Sequence, residues 1–358
     1  MKYYVKETKQ GEDLARTAGY KARDDFEAFC ERFDIKRLLV TTSVEDRKNL
    51  NVFNKLKCHF IIKKNWEDAL SSLNKGDDLF IQFPIVEHSL LLAGVFKKAQ
   101  KKGVKINLLI HDIELFRAMK RENADRKKRF RIQREETDIL KIAHKVIVHN
   151  SHMRETLKEL IDIDDDHMVD LEIFDYLVDD FHYDEVRKHL RKDQPIIIAA
   201  NLIKEKAGYV YDLPDNQSFN LYGINYTGNE TDLIRYHGSF EPEALPYAVK
   251  GSFGLVWDGL TSKTCTGVFG EYLKINNPHK TSFYLSSGIP VVIWKQAALA
   301  DFVLKHHCGI VVDDVKDIHD TLSSLSDEEY QSMLDSTKML SQKLREGYFT
   351  KKAIEACL

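Results

Sequence analysis

Short apolar runs bounded by polar or glycine-containing turns recur along this chain, with amphipathic stretches between them. Lys2 to Val5 reads as a first strand, Ala22 to Phe33 as a helix, and Arg37 to Thr42 as the next strand. The strand signal returns at Asp78 to Phe83, Lys105 to His111 and Lys145 to His149. A second set begins after Pro195 with IIIAAN and continues through FNLYGI, GSFGLVW, IPVVIW and GIVVDD. Strands alternating with helical patterns predict an α/β protein with parallel sheets and crossover helices. Between the two sets, Ile161 to Arg187 is acidic and aromatic with no clean period, and the lobe boundary is placed there, near Asp180. The expected organisation is an N-terminal lobe over 1–180, a C-terminal lobe over 181–346 and a terminal helical segment over 347–358. Two doubly wound lobes facing a cleft would take a ligand at the C-terminal ends of their strands.

The densest local signal runs from Gly270 to Val292. Asn277 suits an N-cap, Pro278 the first helical position, and Gly288 the residue just past the helix end. A helix opening there presents free backbone N–H groups, with Lys280 close behind, which is the chemistry of an anion site. An ordinary capped helix with a surface lysine gives the same signal.

Length and composition fit two soluble lobes. At 358 residues the chain exceeds what one hydrophobic core usually covers. A net charge of −3 gives no bulk basic field, so nucleic acid is not an expected partner. Cys30, Cys58, Cys265, Cys308 and Cys357 are scattered without a CxxC pair, as expected of reduced thiols in a cytosolic protein. The segment MKYYVKETKQGEDL lacks the apolar core of a signal peptide, and no apolar run approaches the roughly 20 residues of a membrane span. A cytoplasmic location is expected.

Several strand ends carry candidate chemistry. Lys204 follows IIIAAN, and with Lys280 it would bracket a diphosphate as a second point charge. Ala18 and Gly19, in the segment Thr17 to Arg23, would allow backbone approach to a sugar phosphate ahead of the first helix. His111 and Asp112 end an apolar strand; either could take a proton from an acceptor hydroxyl, and Asp112 could equally cap the next helix. Asp258, in VWDG, suits a sugar or ribose hydroxyl, or an Asx turn before Gly259. Glu271 is a further candidate for such a hydroxyl contact. No metal is expected, because no His/Cys cluster has ligand spacing and Asp112-Ile113-Glu114 is not a DxD. Asp162-Ile163-Asp164 does spell DxD but follows no apolar strand, and a solvated turn is expected there. Arg117 to Arg134 is the strongly basic run; interrupted by Glu122 and Asp125, it reads as a solvated face. Contact with an anionic membrane at the inner face, or with a lipid-diphosphate acceptor, is the functional alternative.

TAGYKARDD, DLFIQFP, LLIHDIE, FGLVWDG, GEYLKINNPHK and the closing EGYFTKKAI together resemble a family of bacterial GT-B glycosyltransferases. That family includes the glucosyltransferase extending O-linked N-acetylglucosamine on serine-rich repeat adhesins, and β-1,6-galactofuranosyltransferase-like enzymes. The resemblance implies two Rossmann-like lobes and a C-terminal helix crossing back to the N-terminal one. It implies metal-independent transfer of a hexose from a UDP-sugar, which is a substrate rather than a cofactor, to a glycan acceptor on protein or lipid. It also implies a homo-oligomer. Its donor-site positions fall on Ala18, Gly19, Lys204, Tyr222 and Lys280; Asp258, Asn276, Asn277 and Thr281 are further candidates for donor binding, and His111 and Asp112 are the candidates for catalysis. UDP-galactofuranose as donor, or a non-catalytic subunit of a glycosylation complex, are the alternatives. An epimerase would need a GxGxxG after the first strand, and none is present.

Overall fold

The structure is a computed structural model that describes residues 1–9, 18–42, 50–116, 126–188 and 190–358. Contacts divide the chain into two compact units. One holds Met1–Arg16, Arg23–Leu171 and Lys352–Leu358; the other holds Thr17–Ala22 and Glu172–Lys351.

In the first unit the strands are β1 (Lys2–Lys9), β2 (Lys36–Thr42), β3 (Asp78–Phe83), β4 (Lys105–Ile110), β5 (Lys145–Val148) and β6 (Met168–Asp170). They form one parallel sheet in the order β2-β1-β3-β4-β5-β6. In β3 and β4 every residue after the first is buried, as in a parallel sheet covered on both faces. The crossovers include α1 (Ala18–Arg32), α2 (Val52–Leu70), α3 (Leu92–Lys101), α4 (Arg126–Ile142) and α5 (Ser151–Ile161). Asn51 and Asn150 cap α2 and α5, accepting from the amides of Asn54 at 2.8 Å and Met153 at 3.0 Å. α5 buries Met153, Leu157 and Ile161 at helical spacing and stops at Asp162 with φ 51°. Asp165 pairs with Arg154 and Lys158, so the acidic stretch serves as a helix stop and a solvated turn.

The strand order reverses between β1 and β3, and the sheet opens there. β1 stays in register with β2 as far as Lys9↔Thr42, but with β3 only from Lys2↔Asp78 to Tyr4↔Phe80. Past Tyr4 the two central strands diverge, leaving the crevice where open α/β sheets bind ligands.

In the second unit β7 (Ile196–Ala199), β8 (Phe219–Tyr222), β9 (Ile234–Tyr236), β10 (Gly254–Val256), β11 (Val291–Trp294) and β12 (Gly309–Val312) form a second parallel sheet. Its order is β12-β11-β10-β7-β8-β9, so the reversal lies between β7 and β10. These two strands pair only at Gly254↔Ile197. The longer helices of the unit include α6 (Gly267–Tyr272), α7 (His279–Ser286), α8 (Ala300–Lys305), α9 (Ile318–Ser324) and α10 (Asp327–Glu346). Ser326 and Glu329 form a capping box at the start of α10, and Gly347 ends it at φ 78°. The last helix, α11 (Tyr348–Ala356), has its first turn capped by Asp175, which accepts from the amides of Phe349 at 3.3 Å and Thr350 at 2.6 Å.

Some expected boundaries move. α1 begins at Ala18 rather than Ala22, so most of the expected loop is helical. The three-residue strands β6 and β9 had no sequence signal, being too short to show a period. All five cysteines are buried and unpaired. Of the basic run, residues 117–125 lie outside the described residues.

Candidate active site

In the second unit the charged groups collect at the reversal point of the sheet. Lys280, the second residue of α7, places Nζ 2.9 Å from Asp258 Oδ1 and 2.8 Å from the Trp257 carbonyl, just past the end of β10. Both side chains are over nine-tenths buried, at 9% and 8% exposure. Burial lowers the Lys280 pKa, while Asp258 holds it up. Lysine therefore does not project as a free surface cation, as the capping pattern alone suggested.

Lys206 is the further cation whose field reaches Lys280. Its carbonyl accepts from the Gly259 amide at 2.7 Å, tying the turn after β7 to the turn after β10. Gly259 has φ +126°, and a Cβ there would lie 2.7 Å from the Thr266 backbone, so only glycine fits. Lys204, two residues earlier, is exposed and lies 5.0 Å from the Tyr211 ring centroid.

The start of α7 differs from expectation. Pro278, at φ −66° and ψ 125°, is the N-cap, and its carbonyl accepts from the Thr281 amide at 2.9 Å. Asn277 stands one residue before the cap, and its side-chain amide donates to the Glu172 carbonyl at 3.1 Å. Around this terminus Asn276 Oδ1, His279 Nε2, Thr281 Oγ1 and Ser282 Oγ are buried without a protein partner. Buried polar atoms of this kind call for a ligand or water. His279 stacks on Tyr176, with centroids 5.1 Å apart, and burial brings its pKa down to about 4. Its ring is neutral near pH 7.

Tyr222 is a packing residue. It is 1% exposed, stacks on His237 and accepts at its hydroxyl from the Lys250 amide. Glu271 pairs with Lys274 at 3.0 Å. Ala18 and Gly19 are the first two residues of α1.

In the first unit His111 and Asp112 follow β4 directly. His111 Nε2 lies 2.7 Å from Gln82 Oε1, so that nitrogen donates. Gln82 Nε2 donates to Glu27 Oε1 at 3.3 Å, and Glu27 Oε2 pairs with Lys6 at 2.6 Å. The imidazole is thus held by a buried polar chain. Asp112 Oδ1 accepts from the amide of the next residue, Ile113, at 2.9 Å. Nearby, Glu136 accepts from the amides of Glu114 and Leu115 at 3.0 Å and 2.9 Å. Burial pushes its carboxyl up to about 8, and the charge of Asp112 adds to the shift. Glu7, near the end of β1, takes the Val86 amide on both carboxylate oxygens at 3.1 Å.

Among the described residues no group of three or more His, Cys, Asp or Glu side chains is placed to hold a metal ion. Among them, too, no helix is long and apolar enough to cross a membrane.

Comparison with known proteins fixes the family. Residues 2–173 match the glucosyltransferase 3-like N-terminal domain, and residues 196–357 match the glucosyltransferase 3-like C-terminal domain. The β-1,6-galactofuranosyltransferase WbbI of Escherichia coli (strain K12) is 33% identical over 95% of this chain and 94% of its own length. The chain belongs to the glucosyltransferase 3-like family. It is a glycosyltransferase. Glucosyltransferase 3 of Streptococcus gordonii is 35% identical over 32% of this chain and 33% of its own. A solved Rickettsia africae glycosyltransferase covers 99% of this chain and 98% of itself, with a TM-score of 0.59 at 10% identity. The Escherichia coli trehalose-6-phosphate protein bound with UDP-2-fluoro glucose covers the same shares, with a TM-score of 0.58 at 11% identity. The fold is accordingly that of GT-B glycosyltransferases.

Two sets of residues escaped sequence reasoning. Lys206 sits in the same short turn as Lys204, and nothing in the string KEKAG says which lysine faces inward. Glu7, Gln82 and Glu136 lie in or beside apolar runs and matter through partners distant in sequence. The alternation of Tyr4, Lys6 and Thr8 with Val5 and Glu7 was the one available sign that β1 runs on past Val5.

Proposed function

We propose that this glycosyltransferase moves a hexose from a UDP-sugar to a hydroxyl of a glycan acceptor, without a metal ion. The observation that carries the reading is the cluster of Lys280, Asp258 and Lys206 at the β7/β10 reversal, beside the N-terminus of α7. Two lysines, one of them internally neutralised, and a helix N-terminus with buried unpartnered hydroxyls suit a diphosphate. As a sugar bond to a diphosphate breaks, charge develops on the leaving phosphate oxygen. Fixed donors and cations already aimed at it lower the barrier without rearranging.

A β linkage, which the Escherichia coli relative's name specifies, made from an α-linked UDP-sugar is an inversion. Inversion in one step needs a base for the acceptor hydroxyl, and that base belongs with acceptor-binding residues. UDP-galactofuranose stands beside UDP-glucose as donor because a relative matched over 95% of the chain is a galactofuranosyltransferase. Incubating the protein with each UDP-sugar and a glycan acceptor panel, then weighing the products by mass spectrometry, tests the reading. A hexose added from one donor, unaffected by EDTA, is the expected result. No product from any UDP-sugar, or transfer lost on chelation and restored by Mn²⁺ or Mg²⁺, overturns it.

A further inference from the structure

The β1/β3 reversal of the first sheet carries its own charged group, and neither sequence motif nor family likeness singled it out. Glu7 lies on the part of β1 that no longer pairs with β3. The chain leaving β3 turns back toward it. The Val86 amide donates to Oε1 and Oε2 alike at 3.1 Å, and the Glu87 amide also donates to the carboxylate. Arg23, on α1, donates to the Pro84 carbonyl of that same turn and sets its positive charge near Glu7. The charged groups whose fields reach Glu7 are Arg23 on α1 and Glu87 in the turn after β3.

We propose that Glu7 is the general base of the transfer, its carboxylate aimed by the Val86 and Glu87 amides and by Arg23 at the β1/β3 crevice. In the step, a carboxylate oxygen of Glu7 takes the proton of the acceptor hydroxyl. The acceptor oxygen, freed of its proton, forms its new bond to the sugar's anomeric carbon. The bond from that carbon to the diphosphate oxygen breaks, and UDP leaves with the electron pair. The proton stays on Glu7 until solvent removes it.

One feature favours Glu7 over His111 and Asp112, the residues named from sequence. Glu7 alone of the three stands where the sheet itself opens, the position at which parallel sheets accept ligands. Burial pushes its carboxyl up to about 7, with the Glu87 charge adding to the rise and Arg23 and the two amides holding it back. A base of that strength is about half ionised near neutral pH and accepts a proton readily.

The inference rests on the transfer reading above, and one experiment separates the two. Transfer is followed against pH for the wild type and for Glu7→Gln, Glu7→Asp, His111→Gln, Asp112→Asn and Arg23→Gln, with UDP affinity by calorimetry and melting temperature for each. Absence of product from the wild type with every UDP-sugar would sink the transfer reading itself. Given transfer, the wild-type rate should rise with pH through a limb centred near 7. Glu7→Gln keeps an oxygen for the Val86 amide, so it should fold and bind UDP as before. It should lose about 10²–10⁴-fold in kcat and lose the limb, and Glu7→Asp should recover part of both. Arg23→Gln removes a nearby positive charge and should move the limb to higher pH without abolishing it. Should Glu7→Gln fail to fold, the wild-type limb and its Arg23→Gln displacement decide alone. Wild-type kcat in Glu7→Gln, a limb that vanishes only in His111→Gln or Asp112→Asn, or a limb unmoved by Arg23→Gln, each overturns the proposal.

Discussion

Lys280 Nζ and Asp258 Oδ1 stand 2.9 Å apart with both side chains over nine-tenths buried, so one ion pair joins the start of α7 to the end of β10. A buried pair is costly to break and cheap to replace: removing one partner strands the other charge, at about 3–5 kcal/mol. Lys280→Ala should lower stability by about that amount and weaken UDP binding roughly ten- to a hundredfold through the lost phosphate contact. The double variant Lys280→Met with Asp258→Leu removes both charges and should recover most of the stability while leaving affinity low. Urea unfolding and calorimetry report the two quantities separately. Recovery of UDP affinity in the double variant would make the pair purely structural.

Lys206 and Lys204 should part company. Lys206 acts on Lys280 and is backbone-bonded to Gly259, whereas Lys204 is exposed over Tyr211. Lys206→Ala should weaken UDP binding by about 1.5–3 kcal/mol with stability changed by less than about 0.5 kcal/mol. Lys204→Ala should change affinity by less than about twofold. The reverse ranking in calorimetry would return the diphosphate to the residue first suggested by sequence.

Why one lysine was legible and the other was not is instructive about the whole site. The alternation of strands and helices, the reversal-prone parallel sheets and the helix ending at Gly288 are local patterns, and they appear where periodicity put them. Lys280 was visible because a capping signal precedes it, yet its partner Asp258 lies far back in sequence and the pairing is a product of the β10–α7 crossover. The packing of Tyr222 was hidden for the same reason. A strand-end tyrosine is indistinguishable by sequence from one stacked on His237, and only the β8/β9 pairing puts that ring beneath it. Glu7 sat in a run too polar to look like a strand interior. β1 continues through it because β2 pairs along its full length.

Arg187 holds the other end of α7. Its Nε donates to the Ser287 carbonyl at 2.6 Å, Nη1 to Val249 at 3.2 Å and Nη2 to Pro246, all with 8% of the residue exposed. A cation at a helix C-terminus also complements the dipole. Burial brings its pKa down to about 10, still leaving the guanidinium charged at neutral pH. Arg187→Leu would leave buried carbonyls without donors, and stability should fall by about 2–4 kcal/mol. Arg187→Lys should recover less than half of this, because a compact ammonium cannot span three carbonyls as the planar fork does. A thermal melt of the two variants side by side decides it, and equal melting temperatures would show that charge, not geometry, is what the site uses.

The remaining prediction concerns how α7 is fixed on the sheet. β7 and β10 meet at a single pair, Gly254↔Ile197, and beyond it the Ala199 amide has no neighbouring strand on that side. Tyr284 supplies the missing partner. Its hydroxyl accepts from the Ala199 amide at 2.7 Å and lies 3.3 Å from the Ile197 carbonyl, to which it donates. The ring reaches there only because residue 254 is glycine: a Cβ at that position would stand 2.1 Å from the Tyr284 ring. Tyr284→Phe keeps the packing but leaves a buried amide unsatisfied, and should cost about 1–3 kcal/mol. Gly254→Ala forces the ring aside and should cost at least as much, because overpacking a filled core is itself destabilising by about 1–3 kcal/mol. Both changes loosen the helix that carries Lys280 and Thr281, so UDP affinity should fall in each although neither residue is proposed to touch the ligand. In Tyr284→Phe/Gly254→Ala the smaller demand on the ring position should make the losses less than additive. Strict additivity in urea unfolding, or full UDP affinity in the single variants, would show that the helix is seated by other contacts.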